Sequence, residues 1–380
     1  MQAIHNPVRI VFGAGAIGAV GDAVGERRCA VITTEGMAAR GTLASLEGTL
    51  GRKVVRSFTR AEPNPTIASC AVAFESVRDA DPEVLVALGG GSAIDTAKAV
   101  AAQIAHGSAE GWLAGHLREG LPFRADASPP RIVAVPTTAG TGSEVTMWAT
   151  IWDEQQMGKH SISHPSLYPQ WAILDPALTL TVPRATTVAS ALDALSHAME
   201  AIWNRAANPV SDAMATRAIG LIPRALRAAL ATPDEIGVRE TLLSASLLAG
   251  LAISSTRTAL AHSISYPLTA EMGVPHGIAC SVTLPELLLE VAERRPERSD
   301  LIVSALGHRA ASDAAGEIRA LLVNAGADEL IRRHVSTIAA LRGLRGGFIA
   351  PGRAENFVLD VDQERAEAIL RRSVAAVGIH

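Results

Sequence analysis

Aromatic residues are scarce in this chain, only 3% of its 380 positions, although hydrophobic residues make up 48%. A core this apolar must be filled by alanine and branched aliphatic side chains. That favours closely packed helices and excludes global disorder. Cysteine is scarce as well: Cys29, Cys70 and Cys280 form no CxxC pair and leave one over. They are expected as reduced, buried thiols in a cytoplasmic protein. No lysine or arginine cluster offers a track for phosphates, and the formal net charge is −4 with both signs dispersed, so nucleic acid is excluded as a partner. Long apolar runs are missing too. SASLLAGLAI is about half as long as a bilayer-crossing helix requires. The start, MQAIHNPVRIVFGAG, lacks a charged-then-apolar signal pattern, so a soluble protein with no membrane partner is expected. HExxH is absent, which argues against a zinc protease.

What is present has two characters. The first half alternates short β-branched runs with glycine-rich turns and alanine-rich stretches. CAVITT (29–34), EVLVALGGG (83–91), RIVAVPTTAG (131–140) and WAILDP (171–176) read as strands. Apolar strands without polar alternation, with helices between them, predict a parallel sheet covered on both faces. From about residue 180 four long stretches show helical apolar spacing and strand-like runs become rare. The expected organisation is an α/β domain over 1–178 and an all-helical domain over 179–380. The stretch 107–130 reads as an irregular surface excursion.

Two glycine patterns are candidates for binding phosphate. GAGAIG (Gly13, Gly15, Gly18) fits G-x-G-x-x-G after the run RIVF, with Glu35 at the acidic position, but a tight turn accounts for it equally. VLVALGGGSAIDTAKAV is richer. Gly89, Gly90 and Gly91 join a strand directly to a helix, where free N–H groups and the positive dipole end face an anion. Ser92 can cap that helix, with Asp95 at the capping-box position. A capped tight turn is the simpler alternative, but it needs fewer than three glycines. PTTAGTGSE (136–144) repeats the theme with Thr137, Thr138, Gly140, Thr141, Gly142 and Ser143. Both loops follow the carboxyl ends of strands, where open α/β sheets bind ligands, and a diphosphate-bearing nucleotide is the natural occupant.

The helical half carries a different constellation. Asp193 and His197 are four apart on a predicted helix and share a face. His262 lies in an apolar stretch, and His276 sits between Pro275 and Gly277, where it has no packing role. Singly, these are a hydrogen-bonded pair and a core histidine. Together, one carboxylate and three imidazoles suit Fe(II) or Zn(II).

With Asp193, His197, His262 and His276 in this order and spacing, and with GGGSAIDTAK, PTTAGTGSEVT and LDP (174–176), the chain resembles the iron-containing (group III) alcohol dehydrogenase family. The resemblance runs from about residue 6 to the C-terminus. It implies a dinucleotide-binding α/β domain, a helical metal domain and a nicotinamide cofactor, NAD(P)H, in the cleft between them. It implies those four residues as ligands of Fe2+ or Zn2+. It implies cofactor contacts from Gly89, Gly90, Gly91, Ser92, Asp95, Thr137, Thr138, Thr141, Ser143 and Lys159, and a homodimer. Two positions depart from the family pattern. Tyr266 stands where many members carry a second histidine, either as a hydrogen-bond donor or as an aromatic wall. Thr34, followed by Glu35, stands where NAD-specific members carry an aspartate, which leaves NADP(H) or dual use open.

Arg257, just upstream of His262, either binds an anionic substrate or is a surface arginine at a helix end; His164 is a second candidate for the same anion. Within the family, KHSISHPSLYPQWAILDP and AHSISYPLT are most similar to the phosphonoacetaldehyde reductase (hydroxyethylphosphonate dehydrogenase) branch. Maleylacetate reductases are a sister alternative. A lyase of the dehydroquinate synthase type, with the same two-domain plan, is the alternative of another class. The implied reaction is hydride transfer between nicotinamide and a small carbonyl, with Tyr266 and Arg257 as the substrate-side residues.

Overall fold

The computed structural model describes residues 4–107, 110–124, 126–155, 158–345 and 347–379. Two compact units emerge. One comprises Asn6–Thr138 and Ser143–Thr179; the other comprises Ala139–Gly142 and the chain from Leu180 onward.

The first unit is built on a six-stranded sheet: β1 (Arg9–Phe12), β2 (Cys29–Thr33), β3 (Val54–Phe58), β4 (Val84–Gly89), β5 (Arg131–Pro136) and, after a hairpin of β6 (Trp148–Asp153) and β7 (Gly158–Ser163), β8 (Trp171–Leu174). The spatial order is β1-β8-β5-β4-β2-β3, and every pairing in it is parallel. β2 and β4 are buried throughout, since helices cover both faces. Ala30, Ile32, Leu85 and Ala87 feed one core, and Cys29, Val31, Val84, Val86 and Leu88 feed the other. The hairpin strands were not anticipated. In β6, buried and half-buried residues alternate, so it lacks the continuous apolar run that marks the central strands. The stretch expected to be irregular holds a helix, Glu110–Glu119. Leu113 in that helix is fully buried, and Trp112 stacks on His106 with ring centroids 3.7 Å apart.

The second unit is helical among its described residues. Its central helix, Arg184–Ile202, is buried at fourteen of its 19 residues. It packs against Pro209–Ala231 and Ile236–Thr256. Asn208 starts the former with a reciprocal cap, its side chain accepting from Ser211 while the Ser211 hydroxyl accepts from Asn208 N. Ile236–Thr256 is long and apolar enough to cross a membrane, but more than half of its apolar window is buried in the unit, as befits a core helix. Leu260–Ala270 and His276–Ser281 follow and pack on the central helix.

Candidate metal centre and nucleotide loop

In the first unit, the chain leaves β2 toward β3 but leaves β4 toward β5, so the sheet changes winding direction between β2 and β4. Ligands of open α/β sheets bind outside the carboxyl ends at such a point. Gly89 ends β4 there, and the helix Gly91–His106 starts immediately after Gly90. Thr137, just past β5, donates its N–H to Gly89 O at 3.0 Å. A Cβ on Gly89 would lie 2.7 Å from Ala93 Cβ, and one on Gly90 would lie 3.1 Å from Thr138 Oγ1. The two loops therefore meet backbone to backbone, and side chains there would fill the space. Thr34, at the end of β2, caps the next short helix by accepting from Met37 N.

The cap expected from Ser92 and Asp95 does not form. The helix begins two residues earlier than that cap requires, with Gly90 as N-cap and no side-chain cap. Ser92 Oγ instead accepts from Asn64 N at 3.3 Å. Asp95 turns inward: its carboxylate accepts from Ser143 Oγ at 2.5 Å and Thr150 N at 3.0 Å. Beside it lies Lys98, fully buried, with Nζ donating to the carbonyls of Ser143, Thr146 and Trp148 at 2.7–2.8 Å. This buried knot fixes the chain after Gly142. Burial pushes the Asp95 carboxyl up and the Glu144 carboxyl up to about 7, and brings Lys98 down to about 8 against the pull of both acids. Lys159 lies on β7 with Nζ 5.9 Å from the Trp152 ring. Thr141 belongs with the other unit. His164 is stacked on Phe123 at 4.3 Å; burial, then His106 and His116, lower its pKa, a poor setting for a cationic anion-binder.

In the helical unit the four expected ligands converge. Asp193 Oδ1 is 3.6 Å from His197 Nε2 and 3.5 Å from His262 Nε2. The His197 and His262 rings are 4.8 Å apart, and His262 and His276 are 5.3 Å apart. His276 opens its own short helix behind Pro275, and Gly277 is what lets that helix approach. A Cβ on Gly277 would fall 1.9 Å from Ala189 O and 2.9 Å from Asp193 Cβ.

Two buried atoms in this cluster, Asp193 Oδ1 and His262 Nε2, have no hydrogen-bond partner. Leaving a carboxylate oxygen and an imidazole nitrogen so placed costs several kcal/mol unless a cation joins them. Separations of 3.5–3.6 Å are those of donors around one divalent ion. The residues therefore fit a metal. Burial pushes the Asp193 carboxyl up, but His197, His276 and His262 around it outweigh that and hold it below its usual range. Burial lowers His197, the direction that favours a neutral imidazole; burial also pulls His262 down, but Cys280, Glu200 and Asp193 outweigh it and raise His262 well above its usual value.

Glu200 completes the centre and was not anticipated. It lies on the same face as Asp193 and His197, seven and three residues on. Fully buried, it accepts from His262 Nδ1 at 2.6 Å and from His262 N at 3.1 Å. That contact puts the ring proton on Nδ1 and leaves the Nε2 lone pair facing Asp193. Gly140 O accepts from His197 Nδ1 at 3.3 Å and does the same for that ring. Its helical spacing after His197 gives the shared face, but its role comes from the contact with His262, 62 residues away. Cys280, also buried, places Sγ 3.6 Å from both ring nitrogens of His276.

Tyr266 lies one helical turn beyond His262, and its hydroxyl accepts from Arg353 Nε at 3.1 Å. Arg353 comes from a loop 87 residues away and gave no sequence signal. Arg257 is exposed and has a left-handed φ of 66° as the C-cap of Ile236–Thr256. Its carbonyl is held by Asn204 Nδ2 at 3.2 Å.

One unit is a parallel sheet with a glycine turn at its switch point, the other holds one carboxylate and three imidazoles, and together they define a metal-dependent oxidoreductase acting on alcohols. The chain belongs to the iron-containing alcohol dehydrogenase family: its profile matches residues 7–176, and that of the Fe-containing alcohol dehydrogenase C-terminal region matches 187–333. It is 32% identical over 317 residues to choline dehydrogenase of Bacillus subtilis (strain 168), covering 81% of this chain and 78% of that protein. It is 35% identical over 305 residues to 1,3-propanediol dehydrogenase of Citrobacter freundii, covering 78% and 77%. Among solved structures, sulfoacetaldehyde reductase from Bifidobacterium kashiwanohense in complex with NAD+ matches with a TM-score of 0.89 and 28% identity, over 99% of each chain.

Proposed function

We propose that this chain reduces small aldehydes bearing an anionic group, phosphonoacetaldehyde foremost, with NAD(P)H, and oxidises the corresponding alcohols in reverse. The observation that carries the redox chemistry is the unpartnered pair Asp193 Oδ1 and His262 Nε2 among the imidazoles of His197 and His276. A divalent ion bound by those four residues, Fe2+ or Zn2+, supplies Lewis acidity at a carbonyl oxygen, and the nicotinamide supplies the hydride. Glu200 and Gly140 O hold His262 and His197 in the ligating tautomer. Gly89, Gly90, Gly91, Ser92, Thr137 and Thr138 present backbone and hydroxyl groups to the cofactor diphosphate, with Thr141 and Lys159 as further contacts. Asp95 and Ser143 serve it by holding the second loop in shape. Tyr266 accepts from Arg353 and retains a proton to donate toward the developing alkoxide. Thr34, in place of a carboxylate at the end of β2, admits NADP(H) alongside NAD(H).

The anionic substrate is supported by the likeness to a sulfoacetaldehyde reductase. A second support is the Arg353 guanidinium, held against Tyr266 one turn from His262. Arg257 is the other cation in reach of the proposal. A homodimer in the cytoplasm belongs to the same proposal.

The test is NADH and NADPH consumption across phosphonoacetaldehyde, sulfoacetaldehyde, maleylacetate and butanal, in chelator-treated protein and after Fe(II) or Zn(II) is restored. Activity on the anionic aldehydes, lost with the metal and regained with it, is expected; undiminished turnover without metal would overturn the reading. Arg257→Gly also relieves the left-handed backbone, at about 1 kcal/mol. It should therefore raise KM for phosphonoacetaldehyde far more than for butanal while the protein stays folded. Equal effects on both would remove Arg257 from the substrate site.

A further inference from the structure

We infer that the thiol of Cys280 is an additional donor to the metal held by Asp193, His197, His262 and His276, an inference that rests on the reading of that cluster as a metal centre. One ligand atom from each of Asp193, His262, His276 and Cys280 lies within 4.8 Å of the others. Cys280 is fully buried. Its Sγ is 3.6 Å from His276 Nδ1 and 3.6 Å from Nε2. Equally far from both nitrogens, the sulfur sits off either lone pair, so Cys280 or His276 must rotate before sulfur and nitrogen share an ion. A sulfur leg of about 2.3 Å and a nitrogen leg of about 2.1 Å meeting at a tetrahedral angle put the two donors about 3.6 Å apart, so the rotation changes the direction of approach and not the Sγ–N separation. The independent sign of an ion at this point is the buried, unpartnered pair Asp193 Oδ1 and His262 Nε2.

On coordination the S–H bond gives way to a sulfur–metal bond, and the proton leaves to solvent. A thiolate is a softer ligand than a carboxylate or an imidazole, so it tilts the centre toward Zn(II) and Co(II) relative to Fe(II). In a family named for iron, Cys280 thus becomes the residue that sets metal preference in this chain.

Cobalt substitution reads this without reference to turnover. The full-length protein, loaded with Co(II), should show visible d–d bands from a low-coordinate ion and a near-ultraviolet thiolate-to-cobalt charge-transfer band. Cys280→Ser should lose the charge-transfer band and keep the visible bands, while Cys29→Ser and Cys70→Ser keep both. In chelator competition, Cys280→Ser should lose tenfold or more in Zn(II) affinity and markedly less in Fe(II) affinity. Visible bands without charge transfer in the wild-type protein would overturn the role of Cys280 and leave the metal centre standing. No cobalt bands at all would overturn the centre and, with it, the inference. Should Cys280→Ser fail to fold, the wild-type spectrum and Cys280→Ala decide the matter.

Discussion

At the scale of single residues, the centre depends on proton placement as much as on ligand identity. His262 ligates only if its proton sits on Nδ1, and the Glu200 carboxylate is what holds it there. Glu200→Gln preserves volume but weakens that acceptor. Metal affinity, measured by chelator competition, should fall about 10–100-fold. Unchanged affinity would reduce Glu200 to a helix-packing group. The four proposed ligands were legible because Asp193, His197, His262 and His276 match the family pattern together, although singly a hydrogen-bonded pair and a core histidine would account for them. Glu200 and Arg353 were not. A buried glutamate and a loop arginine acquire their roles from a contact 62 and 87 residues away, respectively, and linear spacing carries no trace of either.

At the scale of elements, close approach decides the geometry. Gly277 admits the His276–Ser281 helix to within van der Waals distance of Arg184–Ile202, so Gly277→Ala must push the two apart. We expect a stability loss of about 1–3 kcal/mol, with a parallel loss of metal affinity. Gly48→Ala, a helical position with open space around it, should show neither in the same denaturation and metal-binding assays. The loop after β5 supplies a pH handle. Glu144 is pushed up to about 7 in the folded state from an ordinary 4.5. Because its folded pKa is raised, the stabilising contribution is complete below the ordinary value and is lost as pH rises through about 7. Lys98, lowered to about 8, acts above that window. Melting temperatures of Glu144→Gln and wild type should thus differ least near the acid end and diverge toward neutrality, the variant gaining. A constant offset would mean that Glu144 does not titrate there. The continuous apolar strands β2 and β4 were legible as buried, whereas β6 and the helix Glu110–Glu119 were not. Their alternating or locally mixed patterns resolve only against the surfaces they cover.

For the whole molecule, metal and folding are linked. A ligand that binds only the folded chain adds about 2.7 kcal/mol at a hundredfold excess over its Kd. Chelation should therefore lower the melting temperature, and added Zn(II) or Co(II) should restore it in proportion to the logarithm of concentration. Calorimetry showing no metal dependence would contradict the centre. Residue order alone determined the division into a parallel α/β half and a helical half, because strand and helix periodicities are local properties of the chain. It also singled out Asp193, His197, His262 and His276, whose side chains the fold brings together. What required tertiary structure was the inward turn of Asp95, the tautomer imposed by Glu200 and the pairing of Tyr266 with Arg353. Each depends on burial and on neighbours distant in sequence, and only the packed chain brings those together.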